Sequence, residues 1–387
     1  MVPDSLDSLS QSLLNSSERE GAPQPYPDSN RMTEIRFSHQ ILRDPSGTGS
    51  VSGDQWAVTW SADGTLYTGW GDGTGFGYRG RWRDRWSTYM GLAAVSGDPE
   101  VAVTGRNVWG GYEPLSQEGA LYHNVDPKPE DLKPSHGLIA VGDRLFWYAS
   151  EKRAADGSAA SRNCVLLSSS NGGRTWQDHG YIFEVGGPFS YVGVVQHGRG
   201  QQAAPDGYVY LYDGGTEDED NPHFHRTDLL LARVPVKQLA ERGAYEFFAG
   251  SAEHPAWTTD ISTAVPVFHD DNGVNWLVHA VYNPGADRYL LVTKNSINTD
   301  ERISGPSIDS RGFGIFEGLA PWGPWHTVYY TNRVGQEIPG LDLVISLTLT
   351  PKWMSPKGDR MWIVYSGRPS RPHYSFNLIR ADVTIRD

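Results

Sequence analysis

Short alternating apolar runs recur along this chain three or four at a time, in units that begin near residues 50, 134, 187, 258 and 340. Alternation with a period of two, bounded by Gly, Pro, Asn and Asp, is the pattern of strands, because successive side chains of a strand face opposite sides. One small sheet cannot bury both of its faces. Sheets repeated at intervals of roughly 50–85 residues bury them by stacking on one another, and stacking around an axis leaves few open edges. The sequence therefore predicts an all-β fold, a β-propeller of five blades, or of six or seven if the connectors hold further strands. A strand at Ile35 to Leu42 is placed to complete the last sheet and close the ring. Helix content should be very low, with room for one turn between Leu239 and Tyr245.

Residues 1–31 are polar and read as a disordered tail, which leaves 32–387 as the propeller domain. The tail has no apolar core of the signal-peptide kind, and no run in the chain is long and apolar enough to form a membrane-spanning helix. A formal net charge of −13 excludes a nucleic-acid polyanion as the expected partner, since there is no basic excess to release counterions. With 14 Trp and 19 Tyr, the composition suits a saccharide partner instead. The single cysteine, Cys164, rules out an intrachain disulfide and a CxxC zinc site.

The stretch GDQWAVTWSADGTLYTGWGDGTGFG, from Gly53 to Gly77, holds two alternating runs joined by the turn signal Ser61-Ala62-Asp63-Gly64. In a hairpin the start of one strand lies beside the end of the other. Asp54 and Asp72 therefore share one end of the hairpin, and two carboxylates at one rim is the arrangement that glycoside cleavage uses. On that reading Gln55, Trp56, Trp70 and Arg79 hold sugar hydroxyls and stack on ring faces.

A second set of residues suits a lyase acting on a uronate-containing glycan. Proton abstraction needs a base with a pKa near the working pH, which favours histidine. The candidates are His136 as base with Tyr282 as the phenol, supported by Tyr191, His279 and Asn283, and by Arg162, Arg199 or Arg226 as the cation. His197 and His225 are further candidates. The run His223-Phe224-His225 with Glu217, Asp218 and Asp220 is a His/acid cluster, but it fits no strong metal signature. No metal or other cofactor is expected, apart from a calcium ion held by loop carboxylates. A third reading is a non-catalytic propeller that binds glycan or protein.

Several motifs carry a family resemblance. Ser169-x-Asn171-x-Gly173-x-Thr175-Trp176 resembles the Asp-box turn of sialidase-like propellers, with Asn where Asp is usual. Gly312-Phe313-Gly314-Ile315-Phe316, Ala320-Pro321-Trp322-Gly323-Pro324-Trp325 and Pro351-Lys352-Trp353-Met354-Ser355, together with GDQW and WGDG, resemble a bacterial and fungal propeller family labelled a domain of unknown function. Its relatives include endo-D-arabinanases and, more distantly, propeller rhamnosidases and polysaccharide lyases. The resemblance spans roughly residues 50–387. It implies a five-bladed carbohydrate-active enzyme whose catalytic acids correspond to Asp54 and Asp72.

Overall fold

The computed structural model describes residues 22–38, 42–43, 51–77, 87–111, 127–128, 131–151, 163–184, 187–215, 226–295, 312–334, 338, 341, 344–367 and 375–387. Strands β1 (Met32–Phe37) and β2 (Leu42–Arg43) come first. Strands β3 (Val51–Trp60), β4 (Leu66–Phe76), β5 (Thr88–Asp98) and β6 (Ala102–Trp109) form an antiparallel meander. A second meander is made by β7 (Leu132–Val141), β8 (Arg144–Glu151), β9 (Cys164–Ser169) and β10 (Gln177–Phe183). Next come β11 (Tyr191–Gln196), β12 (Tyr208–Gly215), β13 (Arg226–Leu229), β14 (Leu231–Pro235), β15 (Glu246–Phe248) and β16 (Trp257–Thr258). All of these except β13 belong to the third sheet, while β13 pairs with β17 (Phe268–Val274) as a separate ribbon. A fourth meander contains β18 (His279–Asn283), β19 (Arg288–Lys294), β20 (Phe313–Ala320) and β21 (Gly323–Thr331), and is joined to the third sheet where β11 pairs parallel with β18. The fifth contains β22 (Ser346–Leu349), β23 (Arg360–Ser366) and β24 (Asn377–Ile385), and β1 pairs antiparallel with β24 as its outer strand.

Both faces of most strands are covered, which is why runs such as Cys164–Ser169 and Tyr191–Gln196 are buried from end to end. Five apolar clusters account for this, each lying between two consecutive sheets. Leu92 and Met90 of the first sheet meet Leu138, Trp147 and Leu167 of the second. Ile139 and Leu166 meet Val192 and Leu211, and Val195 and Tyr212 meet Ala280 and Leu291. Val292 and Ile315 meet Leu347 and Ile363. Val364, Phe376 and Leu378 then meet Val58 and Trp70, which returns the series to the first sheet. The innermost strands β3, β7, β11, β18 and β22 touch one another in the same cyclic order. This is a β-propeller arrangement.

One end of the axis is tied shut by turns. Ala62 N donates to Gly142 O at 3.0 Å, and Gly142 N donates to Gly200 O at 3.1 Å. Asn283 Nδ2 donates to Gly358 O at 2.9 Å, and Lys352 Nζ to Gly64 O at 2.7 Å. The starts of the five inner strands lie at the opposite end.

The structure differs from the sequence reading in three places. The unit that begins near residue 258 does not open on a strand of its own sheet. Instead, a 3₁₀ turn at Ile261–Thr263 leads into β17, which pairs with β13 outside the main sheets. Asp260 caps that turn through Ser262 N, so the local hydrogen bonding favours a turn over extension. Residues 22–31, read as tail, lie on the domain: Thr327 N donates to Pro27 O, Ser29 N donates to Thr327 O, and Ser29 is only 5% exposed. The second unit begins at Leu132, where β7 starts, just before the position near 134. The single turn allowed between Leu239 and Tyr245 is a 3₁₀ turn at Arg242–Ala244.

Candidate active site where the inner strands begin

The predicted hairpin forms. Trp60 pairs with Leu66, Ala57 with Gly69 and Asp54 with Gly71, so Asp54 and Asp72 sit at the same end. The register is not regular there. It shifts between Ser52 and Asp54 and again between Asp54 and Ala57. Gln55 (φ 66°), Trp56 (φ 50°) and Asp72 (φ 49°) all adopt left-handed backbone, a conformation that costs a non-glycine residue about 1–3 kcal/mol. The irregularity has a directional consequence. A regular pleat sends consecutive side chains to opposite faces, and left-handed residues on both strands release the two acids from that alternation.

The surrounding side chains hold the bulge in place. Trp56 Nε1 donates to Gly53 O at 3.1 Å, and Ser366 Oγ donates to the same carbonyl at 3.3 Å. His136 Nε2 lies 3.2 Å from Gln55 O. The carboxylate of Asp54 lies over Gly71, where a Cβ would meet Oδ1 at 2.6 Å, with Gln55 Nε2 and the Pro134 ring beside it. Tyr191, Trp276, Leu277 and Ile345 form a small apolar cluster at the starts of the next inner strands, with the Tyr191 and Trp276 rings 4.7 Å apart. Lys294, also buried, donates from Nζ to Ile345 O. Nothing in its sequence neighbourhood marked it as a residue of the axis.

Several expected roles change. Trp56 and Trp70 are each 0% exposed and pack with Phe76 and Phe376, so neither offers a face to a sugar. Gly75 and Gly91 pass so close beneath Trp70 that a Cβ would lie within 2.6 and 2.1 Å of the ring. His136 is 2% exposed, and burial pushes its pKa down to about 4. Burial pushes that of His279 to about 3, with the neighbouring His136 ring contributing. Their rings are 6.3 Å apart, and His279 Nε2 donates to Leu349 O at 2.8 Å. At neutral pH both are uncharged, hydrogen-bonded to backbone, and weak as bases.

Tyr282 and Asn283 belong to the other end of the axis. They close the β18–β19 hairpin, so they lie beyond His279 by the length of the strand. Tyr282 donates to Asp287 at 2.7 Å, and burial with this bond pushes its pKa up to about 12. Asn283 Oδ1 accepts from Gly285 N and Ala286 N, which makes it a turn cap. Arg226 is buried against Asp213, 2.5 Å away, and Asp213 also accepts from Phe189 N and Gly215 N. Arg199 lies beside Gly64 at the closed end. His197, also toward that end, contacts Gln201 and Tyr289. Arg79, Arg162, His225 and the cluster Glu217, Asp218, Asp220 and His223 fall outside the described residues. Among the described residues, no three His, Cys, Asp or Glu side chains converge as a metal-binding set, and no helix is long and apolar enough to cross a membrane.

The segment Ser169–Trp176 folds as a side-chain-bonded turn. Thr175 N donates to Asn171 Oδ1 at 3.1 Å, Gly173 N donates to Ser169 Oγ at 2.9 Å, and Trp176 packs against Trp109 and Trp147.

No protein-family model matches the chain, and no curated protein matches it in sequence. Among solved structures, a presumed hydrolase from Bacteroides ovatus superposes with a TM-score of 0.52 at 14% identity, over 95% of this chain and 97% of that one. The likeness is one of fold, and it extends across nearly the whole of both molecules. A GH43_1 enzyme from Xanthomonas citri aligns with a TM-score of 0.47 at 13% identity, covering 90% and 91% of the two chains. An α-L-arabinofuranosidase from Podospora anserina aligns with a TM-score of 0.41 at 11% identity, covering 93% and 99%.

Proposed function

We propose that this chain is a five-bladed propeller, closed by β1 on β24, that hydrolyses a glycosidic bond in a polysaccharide at the end of its axis where the inner strands begin. Asp54 and Asp72 are the acid pair. The reading rests on one observation. Two acids on adjacent strands lie at the same end of the β3–β4 hairpin, on backbone held in left-handed conformations at Gln55, Trp56 and Asp72. Strain of this kind persists only where its surroundings over-determine it, and here buried Trp56 and His136 hold it.

In such a site one carboxylic acid donates its proton to the leaving oxygen. The other, ionised, activates water or attacks the anomeric carbon. Gln55 stands beside Asp54 over Gly71. His136 and His279 support the rim and do not act as bases.

The test is a panel of arabinans, gum arabic and ulvan, read for new reducing ends and for ultraviolet absorbance together. Hydrolysis yields reducing ends without absorbance. Asp54→Asn and Asp72→Asn should each lower the rate by about 10²- to 10⁴-fold, the contribution typical of a positioned acid or base. Absorbing product that survives in both variants would replace hydrolysis by elimination.

A further inference from the structure

Away from the axis, a cavity of about 450 Å³ opens in the cleft between the second and third sheets. Its size falls within the range of about 300–1,000 Å³ usual for small-molecule pockets. Phe183, Phe247 and Ile261 supply an apolar floor, and Glu184, Arg242 and Thr259 stand around it. We propose that this cleft is a second carbohydrate-binding site, which takes one sugar residue of a neutral glycan independently of the Asp54 rim.

A sugar ring has apolar C–H faces and a polar edge of neighbouring hydroxyls. A site for it needs an apolar wall and fixed, planar hydrogen-bonding groups at the mouth. Arg242 is fixed in this way. Its Nη1 donates to Tyr181 Oη at 2.7 Å, its Nη2 donates to Glu184 Oε1 at 2.6 Å, and the guanidinium lies 4.4 Å from the centre of the Tyr181 ring. A guanidinium has further donors in the same plane, spaced to meet two neighbouring oxygens. Glu184 supplies an acceptor beside it.

The charges at this mouth oppose each other, so the rim carries no net attraction for an ionic ligand. That balance selects a neutral glycan over a uronate or an amine. Tyr181 lies on the edge strand β10 and is 42% exposed, the kind of aromatic surface on which a following sugar residue can rest. Stability alone gives little reason for the arrangement, since an exposed ion pair is worth about 0–1 kcal/mol.

The test uses the full chain carrying Asp54→Asn, so that cleavage at the rim cannot consume the probe. Arabino-, xylo- and cello-oligosaccharides are titrated while ligand-observed NMR is recorded. At least one should bind saturably. Arg242→Ala should weaken that binding about tenfold or more, as expected for a lost hydrogen bond to a charged group. Arg242→Lys should not restore it, because the planar fork is gone, and Thr259→Trp, which fills the cavity from its rim, should abolish it. Failure of every oligosaccharide to saturate would overturn the proposal. So would binding that survives both Arg242→Ala and Thr259→Trp. Silence of the wild-type protein on the polysaccharide panel would count against hydrolysis alone, because binding here is measured without turnover.

Discussion

His136 and His279 sit back to back behind the acid rim, and their burial has a thermodynamic consequence. Each has a folded-state pKa well below its ordinary value of 6.5, at about 4 and about 3. Between those values and 6.5 the unfolded chain binds protons that the folded chain refuses. Stability therefore rises with pH across that window and is lost as pH falls through it. Each histidine contributes about 1.4 kcal/mol per pH unit to the slope. Asp270 works in the opposite sense. Burial raises its pKa from 3.8 to about 6, so its contribution favours the fold at low pH and fades as pH rises over that interval. The comparison that isolates the histidine is the urea midpoint of wild type and His136→Gln between pH 4 and pH 6.5. The variant should show a shallower fall toward acid. Equal slopes would mean that His136 titrates normally and is not buried as described. The sequence placed this residue at the start of an inner strand but could not show which way its ring turns. A base and a wedge look the same in Ser135-His136-Gly137. Trp56 and Trp70 were misread for a related reason. Tryptophan beside an acid suits a sugar platform and a core equally well, and only the closeness of Gly91 and Phe376 distinguishes the two.

The hairpin β3–β4 was legible as an element, because alternation and a Ser-Ala-Asp-Gly turn fix both its register and the common end of its acids. Its bulge was not, since nothing in Gln55-Trp56 announces left-handed backbone. Tyr282 and Asn283 were misplaced at this scale too: they end the inner strand β18, and a strand's start and end lie on opposite faces of a propeller. The bulge makes Gly71 a sensitive position. A methyl group there meets the Asp54 carboxylate at 2.6 Å and Gln55 Nε2 at 3.1 Å, both ends of side chains that can move, and the Pro134 ring at 3.2 Å, which needs to give only by tenths of an ångström. Gly71→Ala should therefore displace the acid while leaving the sheet intact, with stability changed by about 1 kcal/mol and glycan cleavage reduced at least as much as by a misplaced catalytic group, about 10²-fold. Gly73→Ala is the contrasting case. Its methyl would lie 2.2 Å from Ser52 O and 2.5 Å from Gly53 Cα, which are backbone atoms that cannot yield. That variant should lose about 3 kcal/mol or more. If thermal melts show the two variants to be equally stable, the groups over Gly71 do not yield as described.

Across the whole molecule, the N-terminal segment ties the fourth and fifth sheets together. Tyr26 packs on Phe268 and Phe316, with ring centres 5.2 and 5.9 Å away, and its hydroxyl accepts from His269 N at 2.9 Å. Residues 27–29 then run along β21, where Asp28 bridges to Thr327. Met32, 1% exposed, enters the core between the two sheets as β1 begins to pair with β24. The repeat of strand-rich units made the stacked sheets and the covering role of an early strand readable. The extra contacts of residues 22–31 were not readable, because a polar stretch with three Pro residues has no periodicity to show what it lies against. Removing residues 1–37 would uncover Met32's place in the core and leave two backbone edges, β21 and β24, without the segment that covers them. Open edges of this kind pair with other chains. The truncated protein should therefore melt well below the full chain and associate in a concentration-dependent way by light scattering. Tyr26→Ala in the full chain should lower stability by about 1–2 kcal/mol, as for the loss of a partly buried aromatic, without adding association, because both edges stay covered. A truncated protein that remains monomeric with an unchanged melting temperature would show that the C-terminal sheet closes on its own and that the N-terminal segment only lies over a finished ring.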